Sequence, residues 1–172
     1  MKIIVVPDSF KDSLSAKNVA ENIEKGIQKV MPQAMVSKIP ISDGGEGLLD
    51  SLVTFSKGSL IDVEVKDPLL RTIPSQFAIL GDQKTAVIEM AKASGLELLN
   101  MHERNPMRTS TFGTGELIRA ALDKGCTKII VGLGGSATND GGTGMITALG
   151  GKFLDKKGNE IQPGGAGLSE LT

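Results

Sequence analysis

The apolar positions in the first part of the chain alternate between strand-like and helix-like patterns. Residues 3–6 form a short β-branched run, which is typical of a strand buried on both faces of a parallel sheet. From residue 16 to residue 30 the apolar positions recur with a period near 3.6, which predicts a helix with Ser15 as its N-cap. A second strand at residues 34–39 and a helix opening within 42–46 are expected next. This order predicts an α/β layer.

The pattern then changes to three strand-like runs, at residues 59–65, 75–80 and 85–90, with no room for helices between them. The polar residues 81–84 predict a hairpin loop between the last two runs. A polar link at residues 100–110 follows the last of them.

After this link the α/β rhythm resumes. We expect a helix capped by Thr114 and ended by Gly125, then a strand at residues 128–131, a short helix at about 143–149 and a strand-like segment at 152–154. The last residues contain no finishing element.

The predicted fold class is α/β, with a three-layer flavodoxin-like (Rossmann-like) parallel sheet and part of a second α/β domain with a mixed sheet. Residues 1–56 and 112–150 are assigned to the Rossmann-like portions. Residues 57–111 and 151–172 are assigned to the candidate second domain.

Composition narrows the classes of function. A net charge of −1 over 172 residues gives no field that would steer the chain to nucleic acid or to an anionic membrane. With no Trp or Tyr, the chain offers few platforms for base stacking. The lone Cys126, the absence of a signal-peptide pattern and the lack of a long apolar run predict a cytoplasmic protein. The oligomeric state stays open.

Residues 132–144 form the most unusual stretch of the chain. They contain six glycines, together with hydroxyl, amide and carboxylate side chains, directly after a predicted strand. Glycine lets backbone N–H groups converge on one object and lets that object approach closely. The object most often bound in this way is a phosphate, so the stretch predicts a phosphate-binding loop.

Residues 132–137 also match the G-x-G-x-x-A dinucleotide pattern, with Asp155 at a suitable offset, which keeps a dinucleotide-binding oxidoreductase as an alternative. The residues after Ala137 are poor helix formers, however, whereas that pattern requires a helix there. A Walker A sequence is absent.

Further candidates follow the predicted strands. Asp8, Ser9 and Lys11 come after the first strand, where ligands gather in open α/β sheets. Asp43 and Glu46 flank two glycines, and they form either a capping box or the edge of a ligand site.

Several phrases resemble the bacterial glycerate kinases, in the same order and over essentially the whole chain. They lie at residues 7–16, 43–47, 86–91, 112–118 and 134–142. The resemblance is to the amino-terminal half of that family, and it implies ATP-dependent phosphorylation of D-glycerate with Mg²⁺, at a site between two α/β domains. Family members are longer. We therefore expect an incomplete portion, with little or no turnover by these 172 residues alone, and a catalytically inactive fold fragment stays an alternative.

Two positions depart from the family pattern. Asp12 and Leu70 stand where the family usually has glycine. The first adds a negative charge beside the proposed anion site. The second leaves open whether the turn before Arg71, and with it the aim of that arginine, is kept.

Roles follow from the resemblance together with the chemistry of phosphoryl transfer, which asks mainly for positioning and charge stabilisation. Asp8 is the candidate acceptor of the substrate hydroxyl proton. Lys11 is the candidate that neutralises transferred charge or binds the glycerate carboxylate. Asp140 is a candidate Mg²⁺ ligand or an alternative proton acceptor. The predicted substrate-binding residues are Ser9, Arg71, Asp43 and Glu46. The predicted phosphate-binding residues are Gly134, Gly135, Ser136, Thr138, Asn139 and Gly141. The predicted metal ligands are Asp140 and Asp43.

Overall fold

The computed structural model describes residues 1–10, 13–42, 44–45 and 47–171. Lys11, Asp12, Asp43 and Glu46 therefore lie outside the described residues. The strands are β1 (Lys2–Val5), β2 (Met35–Lys38), β3 (Ser59–Lys66), β4 (Thr72–Ile79), β5 (Thr85–Glu89) and β6 (Lys128–Gly132). The α-helices are α1 (Ala16–Val30), α2 (Leu48–Ser56), α3 (Ala91–Ser94), α4 (Phe112–Asp123) and α5 (Thr143–Ala148), and 3₁₀ turns lie at Leu96–Leu98, Met101–Glu103 and Gly165–Glu170.

The strands form two sheets. β1 and β2 pair in parallel, from Lys2 opposite Met35 to Val5 opposite Lys38. The second sheet has the order β3-β4-β5-β6, with β4 antiparallel to both its neighbours and β5 parallel to β6. The predicted α/β class with a parallel and a mixed sheet is confirmed.

β6 pairs with β5 rather than with β1 or β2. The sequence-based division places residues 57–111 and 112–150 in different domain portions, whereas the sheet joins these two segments directly. The physical reason lies in β5, whose five residues are all buried and whose two edges are both paired. The division into domains itself stays a prediction.

Several helix boundaries follow the sequence signals. Ser15 caps α1, accepting the Asn18 N–H at 3.3 Å, and Gly125 follows the end of α4 with a φ of +84°. α4 begins at Phe112, so the prediction that Thr114 caps it is wrong: Thr114 is buried inside the helix, where its hydroxyl lies 2.7 Å from that of Ser94.

Two other predicted elements differ from the structure. α2 begins at Leu48, with Gly47 in the N-cap position, so the paired glycines precede the helix. The segment at residues 152–154 contributes a single bridge, between Leu154 and Glu160, because Asp155 turns the chain directly after it.

The core lies on both faces of β5. Ile88 packs with Leu117 and Ala121 of α4 on one face, and Val87 packs with Leu49 of α2 on the other. β5 is therefore held from both sides of the sheet.

Among the described residues, no helix combines the length and the apolar character needed to cross a membrane.

Candidate functional site

Two glycine motifs far apart in the sequence meet at the carboxyl end of β6. A Cβ atom added at Gly134 would lie 2.5 Å from the Cα atom of Gly45, and one added at Gly132 would overlap the carbonyl oxygen of Gly44. Both neighbours are backbone atoms, which cannot move aside as a flexible side chain can. Glycine is therefore required at these positions for the close approach of two backbones. The structure thus joins the predicted phosphate loop to the segment that contains Asp43 and Glu46 in the sequence.

The same loop is hydrogen bonded to the chain that leaves β5. The N–H groups of Met90 and Leu96 donate to the carbonyl oxygens of Gly132 and Gly135, at 3.1 and 2.8 Å. The Ala137 N–H donates to Ser94 at 2.9 Å. Residues 132–137, which we call the glycine loop, are therefore fixed between residues 44–45 and residues 90–96.

Three consecutive N–H groups of the glycine loop remain available. Among the residues that the structure describes, the backbone N–H groups of Gly134, Gly135 and Ser136 donate to no acceptor of the protein. Gly135 has a φ of +65°, a conformation that favours glycine. Unused N–H groups in such a turn suit an anion.

The polar side chains that follow lie at the surface. Ser136 is exposed, and its hydroxyl lies 3.0 Å from that of Thr138 and accepts the Thr138 N–H at 3.1 Å. Asn139 is exposed, and Gly141 has a φ of +62°. Among the predicted phosphate-binding residues, Gly135, Ser136, Asn139 and Gly141 are thus exposed and Gly134 and Thr138 are half-buried, and their role stays a prediction.

Asp140 has a different environment. Its carboxylate is 1% exposed and accepts the N–H groups of Thr111, Gly142 and Gly144 at 2.8, 3.0 and 3.1 Å. The Thr111 hydroxyl lies 3.0 Å from both carboxylate oxygens. Asp140 thus ties the start of α4 to the start of α5. Its roles as metal ligand and proton acceptor stay predictions, and these contacts favour a positioning role.

Arg71 is held by two carboxylates. Its Nε atom lies 2.5 Å from Asp67 Oδ2, and its Nη1 atom lies 2.7 Å from Glu103 Oε1. These hydrogen bonds, the one to Asp67 first, raise the pKa of the guanidinium. The pKa of Glu103 is lowered, first by the Asn100 N–H and then by Arg71. Arg71 therefore links the β3–β4 turn to the 3₁₀ turn at Met101–Glu103, and its substrate-binding role stays a prediction.

Leu70, in the same turn, has a φ of +64°. This left-handed conformation is costly for a residue with a Cβ atom and is cheap for glycine. The family's glycine at this position therefore has a conformational reason, and this chain keeps the turn despite the substitution.

Asp8 and Ser9 follow β1 and are partly buried. Asp8 Oδ1 accepts the N–H of Ser9 at 2.7 Å. Among the described residues, no hydrogen bond joins either of them to the glycine loop. The predictions for Lys11, Asp43 and Glu46 fall on residues outside the described part of the chain.

Glu89 is a residue to which the sequence predictions gave no role. It ends β5, lies opposite Gly132 of β6 and is 2% exposed. The available signal was a carboxylate that closes the apolar run at residues 86–88 of β5. Its position beside the glycine loop makes it a candidate site residue.

The dinucleotide alternative is not supported by the geometry. That motif requires a helix to open on the glycine loop, whereas α5 begins only at Thr143. Asp155 accepts the N–H groups of Lys157 and Asn159 at 2.8 and 2.9 Å within its own turn. These hydrogen bonds lower the pKa of Asp155, and the one from the Asn159 N–H has the largest effect.

A cavity of about 440 Å³ lies elsewhere, at the start of α4 and α5. Its lining includes Phe112 and Lys152, and also Ser110 and Gly144, which both contact Asp140. None of the predicted phosphate-binding residues lines it. The predicted phosphate-binding residues are therefore not part of this cavity.

Comparisons with known proteins show which family the chain is similar to. The model of the glycerate kinase family matches residues 3–172. A glycerate kinase of Bacillus subtilis is 56% identical over 171 residues, which are 99% of this chain and 45% of the relative. A glycerate 2-kinase of Escherichia coli is 50% identical over the same shares of both chains.

A solved structure from Salmonella typhimurium LT2, described as a glycerate kinase 2, superimposes with a TM-score of 0.84 at 49% identity. The superposition covers 100% of this chain and 46% of the chain in that structure. The chain therefore spans about half the length of the relatives that it matches. By sequence and by structure, the chain belongs to the glycerate kinase family.

Proposed function

We propose that the natural gene product, at its full length, transfers the γ-phosphoryl group of ATP to D-glycerate and releases phosphoglycerate and ADP. Relatives named glycerate kinase support the reaction. The observation that carries the proposal is the glycine loop, where three consecutive N–H groups donate to no acceptor among the described residues.

In this proposal the N–H groups of Gly134, Gly135 and Ser136 bind phosphate oxygens of ATP. Fixed donors of this kind stabilise charge that develops during transfer without having to reorganise. The exposed hydroxyl of Ser136 and that of Thr138 add donors at the same edge. Contacts to residues 44–45 and 90–96 fix the loop in advance, which is what phosphoryl transfer asks of a protein.

The acceptor side of the reaction is assigned to the segment after β1. Lys11 binds the glycerate carboxylate or neutralises transferred charge, with Ser9 beside it, and Asp8 accepts the hydroxyl proton. Support comes from the place of this segment at the carboxyl end of a parallel strand, where α/β proteins bind ligands. Arg71 is the weaker candidate for the carboxylate, because Asp67 and Glu103 already occupy its guanidinium.

Mg²⁺ is the ion that phosphoryl transfer ordinarily uses. Within residues 1–10, 13–42, 44–45 and 47–171, no group of three His, Cys, Asp or Glu side chains is placed to hold a metal. Asp140 accepts N–H and O–H groups on both oxygens, so binding the ion would compete with these donors. Asp140 and Asp43 stay the predicted ligands, and no step of the proposal depends on the metal.

The proposed setting is the cytoplasm, with D-glycerate and ATP as small-molecule partners and no nucleic acid. The chain's formal charge of −1 supports this, since binding to a nucleic-acid backbone needs a positive surface. The buried Cys126 supports a reducing compartment.

The test is an ATP-dependent assay of the full-length gene product, with ADP release coupled to a spectroscopic signal and the product identified by NMR. We expect ADP release that depends on D-glycerate, and little or no turnover by the 172-residue chain alone. A matched reaction without acceptor measures background ATP hydrolysis. ADP release no faster than in that control would contradict the proposal, as would saturable NAD(H) binding in a protein that binds no ATP.

A further inference from the structure

Glu89 points to the face of the sheet that α2 covers. Side chains alternate along a strand, so residues 87 and 89 share one face and residue 88 takes the other. Ile88 packs in the cluster that contains Leu117 of α4, and Val87 packs against Leu49 of α2. The Glu89 carboxylate is therefore directed to the α2 side, where it is 2% exposed.

The entry to α2 lies directly over this part of the sheet. Gly132 is the partner of Glu89 in the parallel register. A Cβ atom at Gly132 would overlap both the carbonyl oxygen of Gly44 and the side chain of Leu48. Gly44 and Leu48 thus lie next to the β6 partner of Glu89.

A carboxylate at this place needs a chemical reason. Burying an ionised group is costly unless donors compensate it, and an apolar residue like Val87 would fill the same face without that cost. The first N–H groups of a helix lack intrahelical acceptors and carry a partial positive charge. A carboxylate below the start of α2 is therefore suited to accept hydrogen bonds from the N–H groups there.

We propose that Glu89 is a positioning residue, whose buried carboxylate holds the segment of Gly44, Gly45 and Gly47 at the start of α2 and so keeps Gly44 and Gly45 against the glycine loop. Its effect on phosphoryl transfer rests on the proposed function. Its effect on the position of the segment does not.

Hydrogen exchange of the full-length gene product tests the position of the segment. In Glu89→Ala, the amides of residues 44, 45, 47 and 48 should exchange at least about tenfold faster, while those of β4 change less than about threefold. Two control variants alter other acids: Asp67→Asn changes a buried one and Glu64→Gln changes an exposed one. In both, the amide exchange rates of residues 44, 45, 47 and 48 should stay unchanged relative to those of β4. A folded Glu89→Ala protein with unchanged exchange at residues 44–48 would overturn the proposal.

Glu89→Gln keeps the shape and one acceptor oxygen, so its exchange at residues 44–48 should rise only about threefold relative to β4. If Glu89→Ala does not fold, the same comparison is made with Glu89→Gln. An equal change in exchange rate at residues 44–48 and in β4 would then overturn the proposal.

Steady-state kinetics test the link to catalysis. We expect kcat/KM for ATP to fall by about tenfold or more in Glu89→Ala, and Glu89→Gln to recover most of it. A loosened segment with unchanged kcat/KM would overturn the link. A wild-type protein without activity would instead count against the proposed function, and the exchange result would still stand.

Discussion

The strands β1 and β5 have similar apolar sequences and very different environments. All five residues of β5 are buried, whereas in β1 only Val5 is buried and Ile4 is 65% exposed. β5 lies between β4 and β6, with α2 on one face and α4 on the other. β1 is paired with β2 alone among the described strands.

This difference decides how firmly each candidate group is placed. The glycine loop follows β6 and is fixed by backbone packing on Gly45 and by hydrogen bonds from residues 90–96. Asp8 follows β1, and its carboxylate accepts the N–H of its own neighbour, Ser9. The phosphate side of the proposed site is therefore preorganised by the fold, and the acceptor side is held locally.

The largest expected effect compares one isoleucine from each strand. Ile88→Ala removes a fully buried side chain of β5 and should lower the free energy of unfolding by about 2–5 kcal/mol. Ile4→Ala removes a mostly exposed one from β1 and should change it by less than about 0.5 kcal/mol. Urea denaturation measures both. Equal losses would show that β1 is covered as well as β5 is.

Asp140 and Asp8 extend the comparison to carboxylates. Asp140→Ala leaves buried donors of Thr111, Gly142 and Gly144 without an acceptor and should cost about 2–4 kcal/mol. Asp8→Ala loses one local bond and should cost less than about 1 kcal/mol. Thermal unfolding of the two variants checks the order, and a larger loss for Asp8→Ala would reverse the account.

Leu70 tests a strained position of the better packed region. Leu70→Gly should raise the free energy of unfolding by about 0.5–1 kcal/mol, because glycine adopts the φ of +64° without steric cost. Leu122→Gly changes an equally half-exposed leucine inside α4 and should lower it by about 1 kcal/mol. If both variants lose stability, the Leu70 turn stores no strain.

The smallest expected effect depends on pH, at the hairpin between β4 and β5. The Thr85 hydroxyl, and then the N–H groups of Lys84 and Thr85, lower the pKa of Asp82 from 3.8 to about 2. A lowered pKa means that the charged form stabilises the fold above pH 3.8 and that this contribution is lost as the pH falls towards 2. Asp82→Asn should therefore unfold at lower urea than wild type at pH 7, with a gap that narrows between pH 3.8 and pH 2. If the difference in urea midpoint between Asp82→Asn and wild type is the same at every pH, the effect comes from the shape of the side chain and not from its charge.

Local features of the fold could be predicted from the sequence because neighbouring residues determine them. Ser15 at the start of α1 and the hairpin at residues 81–84 are of this kind. Contacts between distant segments could not be predicted. The packing of Gly45 on Gly134 and the donors around Asp140 depend on which elements become neighbours.

The candidate site shows the same division. A glycine-rich loop after a strand predicted an anion site from residue type alone, and the available N–H groups agree with it. The sequence does not show that Asp67 and Glu103 reach Arg71, so the contacts that compete with a substrate for this arginine could not be predicted. Glu89 received no role because its burial under α2 is a tertiary property.

The central claim is that the N–H groups of the glycine loop bind phosphate. Its most direct test is an amide NMR titration of the ¹⁵N-labelled full-length gene product with ATP. We expect the resonances of Gly134, Gly135 and Ser136 to shift together and to saturate. Gly134→Ala, whose Cβ would press on Gly45, should abolish the shifts, and Gly26→Ala, whose Cβ meets nothing within 4 Å, should keep them. Saturable ATP binding that leaves these three resonances in place would contradict the claim.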